Sequence, residues 1–258
     1  MFGNIKPVTK NLLILNIAMF IVTEFFASQK GILLGDYLGG HYFGTPLFQP
    51  YQIVTHFFMH GGFLHIFMNM YVLVVFGSFL ESLWGPKRFF YVYVASALGA
   101  YLLYSGVGFF QVSQLKATIN NPDALAALNG TLKELGRGIT NVDLAQIAER
   151  YGISSQAQYD AMEAYTLKSV IPMVGASGAI FGLMAAFAIL FPNTQLMLLF
   201  PPIPIRAKWL IGGYFVLELY YSFQNNAGDE VAHLAHVGGA IVGAIIVLIW
   251  RRTGKNFY

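Results

Sequence analysis

The chain has 258 residues, of which 56% are hydrophobic and only 10% charged, with a formal net charge of +3 and no cysteine. So low a charged fraction excludes an ordinary soluble domain, in which about a quarter of residues are charged. The missing cysteines exclude a disulfide framework, thiolate catalysis and thiolate metal sites.

The apolar residues gather into runs near 11–28, 62–83, 88–110, 174–191, 207–223 and 232–250. A helix needs about 20 apolar residues to cross a bilayer, so the expectation is an all-α polytopic membrane protein with six spans, both termini on one side. Lys6 and Lys10, Lys87 and Arg88, Arg206 and Lys208, and Arg251, Arg252 and Lys255 all fall in loops of one face, whereas the other short loops carry Lys30, Asp229 and Glu230. That is the positive-inside pattern, which puts both termini in the cytoplasm. The basic excess therefore reports topology, and no nucleic-acid partner is expected. The basic, apolar start resembles a signal peptide but reads as an uncleaved first span, since its removal would spoil the charge pattern. Glu24 lies near the outer end of this span and receives no role.

The stretch 31–51 is apolar but broken by Gly35, Gly39, Gly40, Gly44, Pro46 and Pro50. Irregular backbone at membrane depth must be buried against protein, so this loop either dips into the bilayer or lies on its surface. His41 within it has no case for function. His56 and His60 follow at helical spacing, and a metal reading would join them to His65, His233 and His236. With no thiolate in the chain and no carboxylate among them, no metal is expected there. In span two, His65 and Asn69 are four residues apart and share a helix face where membrane helices usually carry leucine. They are read either as hydrogen-bonding glue between helices or as donors toward a developing negative charge.

The hydrophilic block 111–168, with five basic and six acidic residues, lies between spans three and four on the outer face. Helix starts are expected at Asn121-Pro122-Asp123 and Thr140-Asn141, turns at Asn129-Gly130 and Tyr151-Gly152, and an apolar stripe at Val142, Ile147 and Tyr151. The block reads as a small helical, extracytoplasmic insertion in a single domain spanning 1–258.

Span four opens with Gly175-Ala176-Ser177-Gly178, and Gly178 and Gly182 are four apart. Pro201, Pro202 and Pro204 then exclude a continuous helix through 192–208, which reads as an interfacial loop. Glu218 inside span five lies in no motif with a histidine and receives no role. Span six opens with Ala235-His236-Val237-Gly238-Gly239, and Gly239 and Gly243 are again four apart. Small residues at that spacing allow close helix approach, which the short serine side chain needs if Ser177 is to bond His236. A soluble hydrolase elbow is excluded by Ala179, where that motif needs glycine, and by the transmembrane flanks. The pair thus reads as a Ser–His dyad without an orienting aspartate. His233, one turn before His236, reads as a hydrogen bonder that anchors the loop.

These residues resemble those of the rhomboid intramembrane serine proteases. Gly175 to Gly178 resembles the family's nucleophile motif, His236 with Gly239 and Gly243 its base motif, and His60, His65 and Asn69 its second-span pattern. The resemblance implies a six-helix rhomboid-like bundle with an embedded first loop and a water-filled cavity opening outward. It implies Ser177 as nucleophile and His236 as general base, with Asn69, His65 and the backbone N–H of Ser177 around the oxyanion. No cofactor is implied. The partners would be transmembrane protein substrates, cut in or near their spans at segments that unwind easily, and the lipid bilayer, with a bacterial plasma membrane as the location. Two departures stand out. The family's frequent Trp-Arg pair in the first loop is here Tyr51-Gln52, and Phe181 replaces a tyrosine that stacks on the catalytic histidine in some members. The rival readings are a non-cleaving relative that binds transmembrane helices and a transporter, the latter without a visible inverted repeat.

Overall fold

The computed structural model describes residues 5–198, 201–224 and 232–253. The expectations for Asp229, Glu230 and Lys255 lie outside the described residues.

The chain is a mostly helical membrane protein. Among the described residues, the helices long and apolar enough to cross a membrane lie at 7–30, 63–119 and 233–252, with a shorter apolar helix at 177–190. The first, α1 (Pro7–Lys30), begins with a proline at N1 and stops at Gly31 in the left-handed conformation. The Glu81 carboxylate reaches across to its start, accepting bonds from the backbone N–H of Val8 (2.9 Å) and Thr9 (2.8 Å) and from the Thr9 hydroxyl (2.8 Å). A carboxylate satisfies the free N–H groups of a helix start and suits its positive dipole end, which is why this charge survives at 3% exposure. Nothing local in the sequence singles out Glu81, since its partners lie more than 70 residues away.

Short helices α2 (Leu34–Leu38) and α3 (Gln52–Thr55) punctuate the first loop. Gln52 is the loop's hub. Its Oε1 accepts from the Gln49 N–H (2.9 Å) and more weakly from that of His41 (3.4 Å), while its Nε2 donates to the carbonyls of Tyr37 (3.0 Å) and Leu47 (3.2 Å). The loop is held by hydrogen bonds to protein, as buried irregular backbone requires. His41 is fully buried, its ring nitrogens 2.8 Å from the Ser169 carbonyl and 2.9 Å from that of Asp36.

Helix α4 (Phe63–Val72) runs through a π-helical turn, Leu73–Gly77, into α5 (Ser78–Ile119). Gly85 (φ 76°) breaks that helix immediately before Pro86, so 63–84 and 86–119 are separate rods. The second rod projects well past the expected end at 110 and carries the hydrophilic block: α6 (Pro122–Leu135), α7 (Asn141–Arg150) and α8 (Gln156–Val170). Asn121 caps α6 by accepting from the Ala124 N–H at 3.0 Å, and Thr140 with Asp143 forms a capping box on α7.

Two details of the block differ from expectation. Asn129-Gly130 lies inside α6 rather than at a turn, because burial of Leu128 and Leu132 carries the helix through and Asn129 Oδ1 accepts from the Tyr165 hydroxyl (2.7 Å). Val142 is 64% exposed, and the buried face of α7 is Leu144, Ile147 and Ala148.

Helix α9 (Ser177–Leu190) is followed by an antiparallel ribbon, β1 (Gln195–Met197) with β2 (Pro204–Arg206), where only a loop was expected. Proline is compatible with such an edge because it forfeits only a donor. Helices α10 (Ala207–Gln224) and α11 (His233–Arg252) complete the described chain.

Helix α11 lies against both α9 and α5, and glycine sets the separation. A Cβ built on Gly239 would collide with the backbone of Gly178, and one on Gly243 with that of Gly182, while one on Gly238 would sit 2.9 Å from the Gly99 carbonyl. The two four-residue glycine spacings therefore face each other, backbone against backbone.

Candidate active site

The glycine contact brings the starts of α9 and α11 together at one end of the bundle. Ser177 is the first residue of α9, and Gly175 precedes it at φ 123°, a conformation open mainly to glycine. A Cβ at Gly175 would also lie 2.8 Å from His65 Nε2, so two independent constraints demand glycine there. The Gly175 N–H donates to the His56 carbonyl (3.0 Å), which ties the turn to the end of the first loop.

Ser177 Oγ is 2.8 Å from His236 Nε2. The His236 ring stacks on Phe181, with centroids 4.3 Å apart and planes at 7°. Phe181 follows the serine by one helical turn, so the stack needs only the aromatic face and survives without a tyrosine hydroxyl.

A cavity of about 670 Å³ opens at this point, lined by Ser177, His236, His65, Asn69, Gly175 and Phe181. Asn69 is 7% exposed, and its Nδ2 has no hydrogen-bond partner among the described residues. An unpaired buried amide donor costs about 1–3 kcal/mol, and this one is open to an acceptor that enters the cavity. The first N–H groups of α9, beginning at Ser177, have no carbonyl of their own helix to bond and add the positive dipole end. The arrangement can therefore deprotonate a hydroxyl on one side and receive negative charge on the other.

The remaining histidines separate into different places. His60 packs its ring edge-to-face on His65, with centroids 5.2 Å apart. His56 stacks on Tyr101 (4.9 Å), and its Nδ1 lies 2.8 Å from the Gln52 carbonyl. These rings line up along the loop and span two and do not converge as ligands.

From sequence, Glu218 lies in no motif with a histidine and the pair reads as a dyad without an orienting aspartate; the structure instead places the Glu218 Oε2 2.8 Å from His236 Nδ1 and 2.6 Å from His233 Nδ1. His233, expected to anchor the loop, thus bonds this carboxylate. The premise that no carboxylate sits among the histidines fails as well, because Glu218, His233 and His236 offer three ligand atoms within 4.8 Å of one another. The signal available in the sequence was an ionisable residue inside a span followed by two histidines one turn apart on the next helix.

Comparison with known proteins supplies the context. A family model described as a Rhomboid domain matches residues 47–112 and 147–253. Rhomboid protein 1, mitochondrial, of Saccharomyces cerevisiae is 25% identical over 199 residues, covering 75% of this chain and 40% of that protein. The chain therefore spans well under half the length of this curated relative.

Proposed function

The chain belongs to the rhomboid family, and on that premise we propose that it is a serine endopeptidase that cleaves membrane-anchored proteins in or near their transmembrane segments. The observation that carries this reading is the 2.8 Å approach of Ser177 Oγ to His236 Nε2 beside a cavity. Ser177 attacks the scissile carbonyl carbon while its proton passes to His236 Nε2. The resulting oxyanion is received by Asn69, His65 and the backbone N–H of Ser177. Collapse breaks the C–N bond as His236 returns the proton to the leaving amine, leaving an acyl-enzyme. Water then attacks the ester, again through His236, and releases the new carboxylate. The cavity supplies the water that lipid cannot.

The proposal includes six crossings, formed by α1, the rods on either side of Gly85, α9, α10 and α11, with both termini on the cytoplasmic face and the cavity facing outward. Residues 111–168 are read as an outer insertion in a single domain; the family match is interrupted over 113–146, the first part of that block, and resumes at 147. The proposed location is a bacterial plasma membrane, with the charge pattern of the loops bearing on orientation alone; the yeast relative's name places that protein in mitochondria. Substrates are expected to be transmembrane proteins whose spans unwind easily.

A fluorophosphonate probe on the full chain in proteoliposomes, alongside cleavage of a single-span reporter, tests the reading. Labelling and cleavage that both vanish in Ser177→Ala support it. Folded wild-type protein that neither labels nor cleaves would sink it and favour a helix-binding role.

A further inference from the structure

We propose that Glu218 is a positioning residue for the base, converting the Ser177–His236 pair into a serine–histidine–glutamate relay with His233 as the second anchor of the carboxylate. This rests on the reading of Ser177 and His236 as nucleophile and base. The two nitrogens of the His236 ring face opposite partners, Nε2 toward Ser177 Oγ and Nδ1 toward Glu218 Oε2, each at 2.8 Å. An ionised carboxylate can only accept, so the hydrogen belongs on Nδ1 and the lone pair on Nε2. That is the tautomer able to take a proton from serine. When it does so, the imidazolium forms against an anion already in place, a charge arrangement that needs no reorganisation during the reaction.

The burial of Glu218 makes the same point energetically. Its side chain is 5% exposed, part way along α10, where an unpaired carboxylate would be costly. The N–H groups of two imidazoles one turn apart on α11 satisfy the same oxygen. Tyr214, one turn earlier on α10, faces the carboxylate as well, and His65 faces His236 from the second span.

Two rival accounts use the same atoms. In the first, the cluster is a metal site. Zinc held at ~2.0–2.1 Å from each ligand would keep those donors ~3 Å or more apart. The observed separations of 2.6 and 2.8 Å fit shared hydrogens instead. In the second, Glu218 merely ties α10 to α11. That rival is credible on packing grounds, because the other buried residues of α10 are only Ala207 and Ile211. It predicts lost stability but an unchanged titration of the base.

The experiment compares Glu218→Gln and Glu218→Asp with wild type in proteoliposomes, after Ser177-dependent cleavage by wild type has been established. That control separates failure of this inference from failure of the protease reading. Kinetics are taken on monodisperse folded protein, as kcat and KM across pH. For Glu218→Gln the expectation is a kcat loss of at least about tenfold and as much as ~10⁴-fold with little change in KM. The acid limb of its kcat profile should move to lower pH, since nothing anionic then favours the imidazolium. Glu218→Asp, which keeps the charge, should recover part of kcat and return the limb toward its wild-type position. A folded Glu218→Gln protein with wild-type kcat overturns the proposal. So does a loss shared equally by both variants, with a lower melting temperature and an unmoved acid limb, which would leave only the helix tie.

Discussion

Asn69 presents a buried amide whose Nδ2 has no partner among the described residues, on the wall of the cavity that holds Ser177. In the proposed mechanism that donor receives charge that is absent in the ground state. Removing one such donor typically lowers kcat by ~10²–10³-fold. Asn69→Ala is therefore expected to lose that much turnover with little change in KM, while fluorophosphonate labelling of Ser177 remains detectable. Undiminished kcat would remove Asn69 from the oxyanion assignment. Glu81 makes the contrast at the same scale. It too is a buried polar group, but the bonds of its carboxylate go to the start of α1, far along the chain from the serine and histidine, and its work is structural.

At the scale of elements, the active geometry depends on how closely α9 and α11 can approach. Gly178 with Gly239, and Gly182 with Gly243, leave no room for side chains between the two backbones. Overpacking such a contact costs about 1–3 kcal/mol, and a branched side chain against rigid backbone belongs at the upper end or beyond. Gly243→Val should lower the melting temperature and, by spreading the helices between one and two turns below the catalytic pair, abolish probe labelling. Gly212→Ala is the matched control, since a Cβ there meets nothing within 4 Å and alanine is favoured over glycine in a helix by ~1 kcal/mol. Equal labelling in wild type and Gly243→Val would show that the glycine contact does not set the site.

Across the whole molecule, the first loop, the cap and the bundle are fastened to one another at the end that holds the site. Gly40 pairs with Met173 in an isolated bridge, the Tyr101 hydroxyl donates to the His41 carbonyl (2.6 Å), and Arg137 in the cap forms an ion pair with Asp36 in the loop (2.6 Å). Asp36 and Arg137 also line the cavity, so cap and loop together shape its mouth. His41 is the buried link between loop and cap. Burial holds its ring below the ordinary histidine value, outweighing the two carbonyls and Asp36, which favour the charged form. A depressed histidine contributes stability that is fully present above its unfolded pKa of about 6.5 and is lost as pH falls below that toward the folded value. The unfolding midpoint in micelles should accordingly drop between pH 7 and 5, and the drop should be smaller in His41→Gln. Identical slopes for the two proteins would exclude His41 as the sensitive group.

The sequence by itself determined that this is a helical membrane protein and that Ser177 and His236 are a candidate pair. Apolar runs of bilayer length and paired glycines at four-residue spacing are local patterns, and each has only a few physical outcomes. Helix starts at Asn121 and Thr140 were legible for the same reason, since a cap is chemistry between near neighbours. Tertiary structure alone decided the rest. Glu218 could not be joined to His236 from spacing, because nothing local says which way two successive helices turn their faces. Glu81 at the start of α1 and the helix through Asn129-Gly130 were likewise settled by partners distant in the chain, and Gln52 became the hub of the first loop through the way that loop folds back on itself. Buried polar groups are paired by whatever the fold brings within about 3 Å, and that distance is a property of packing, not of sequence order.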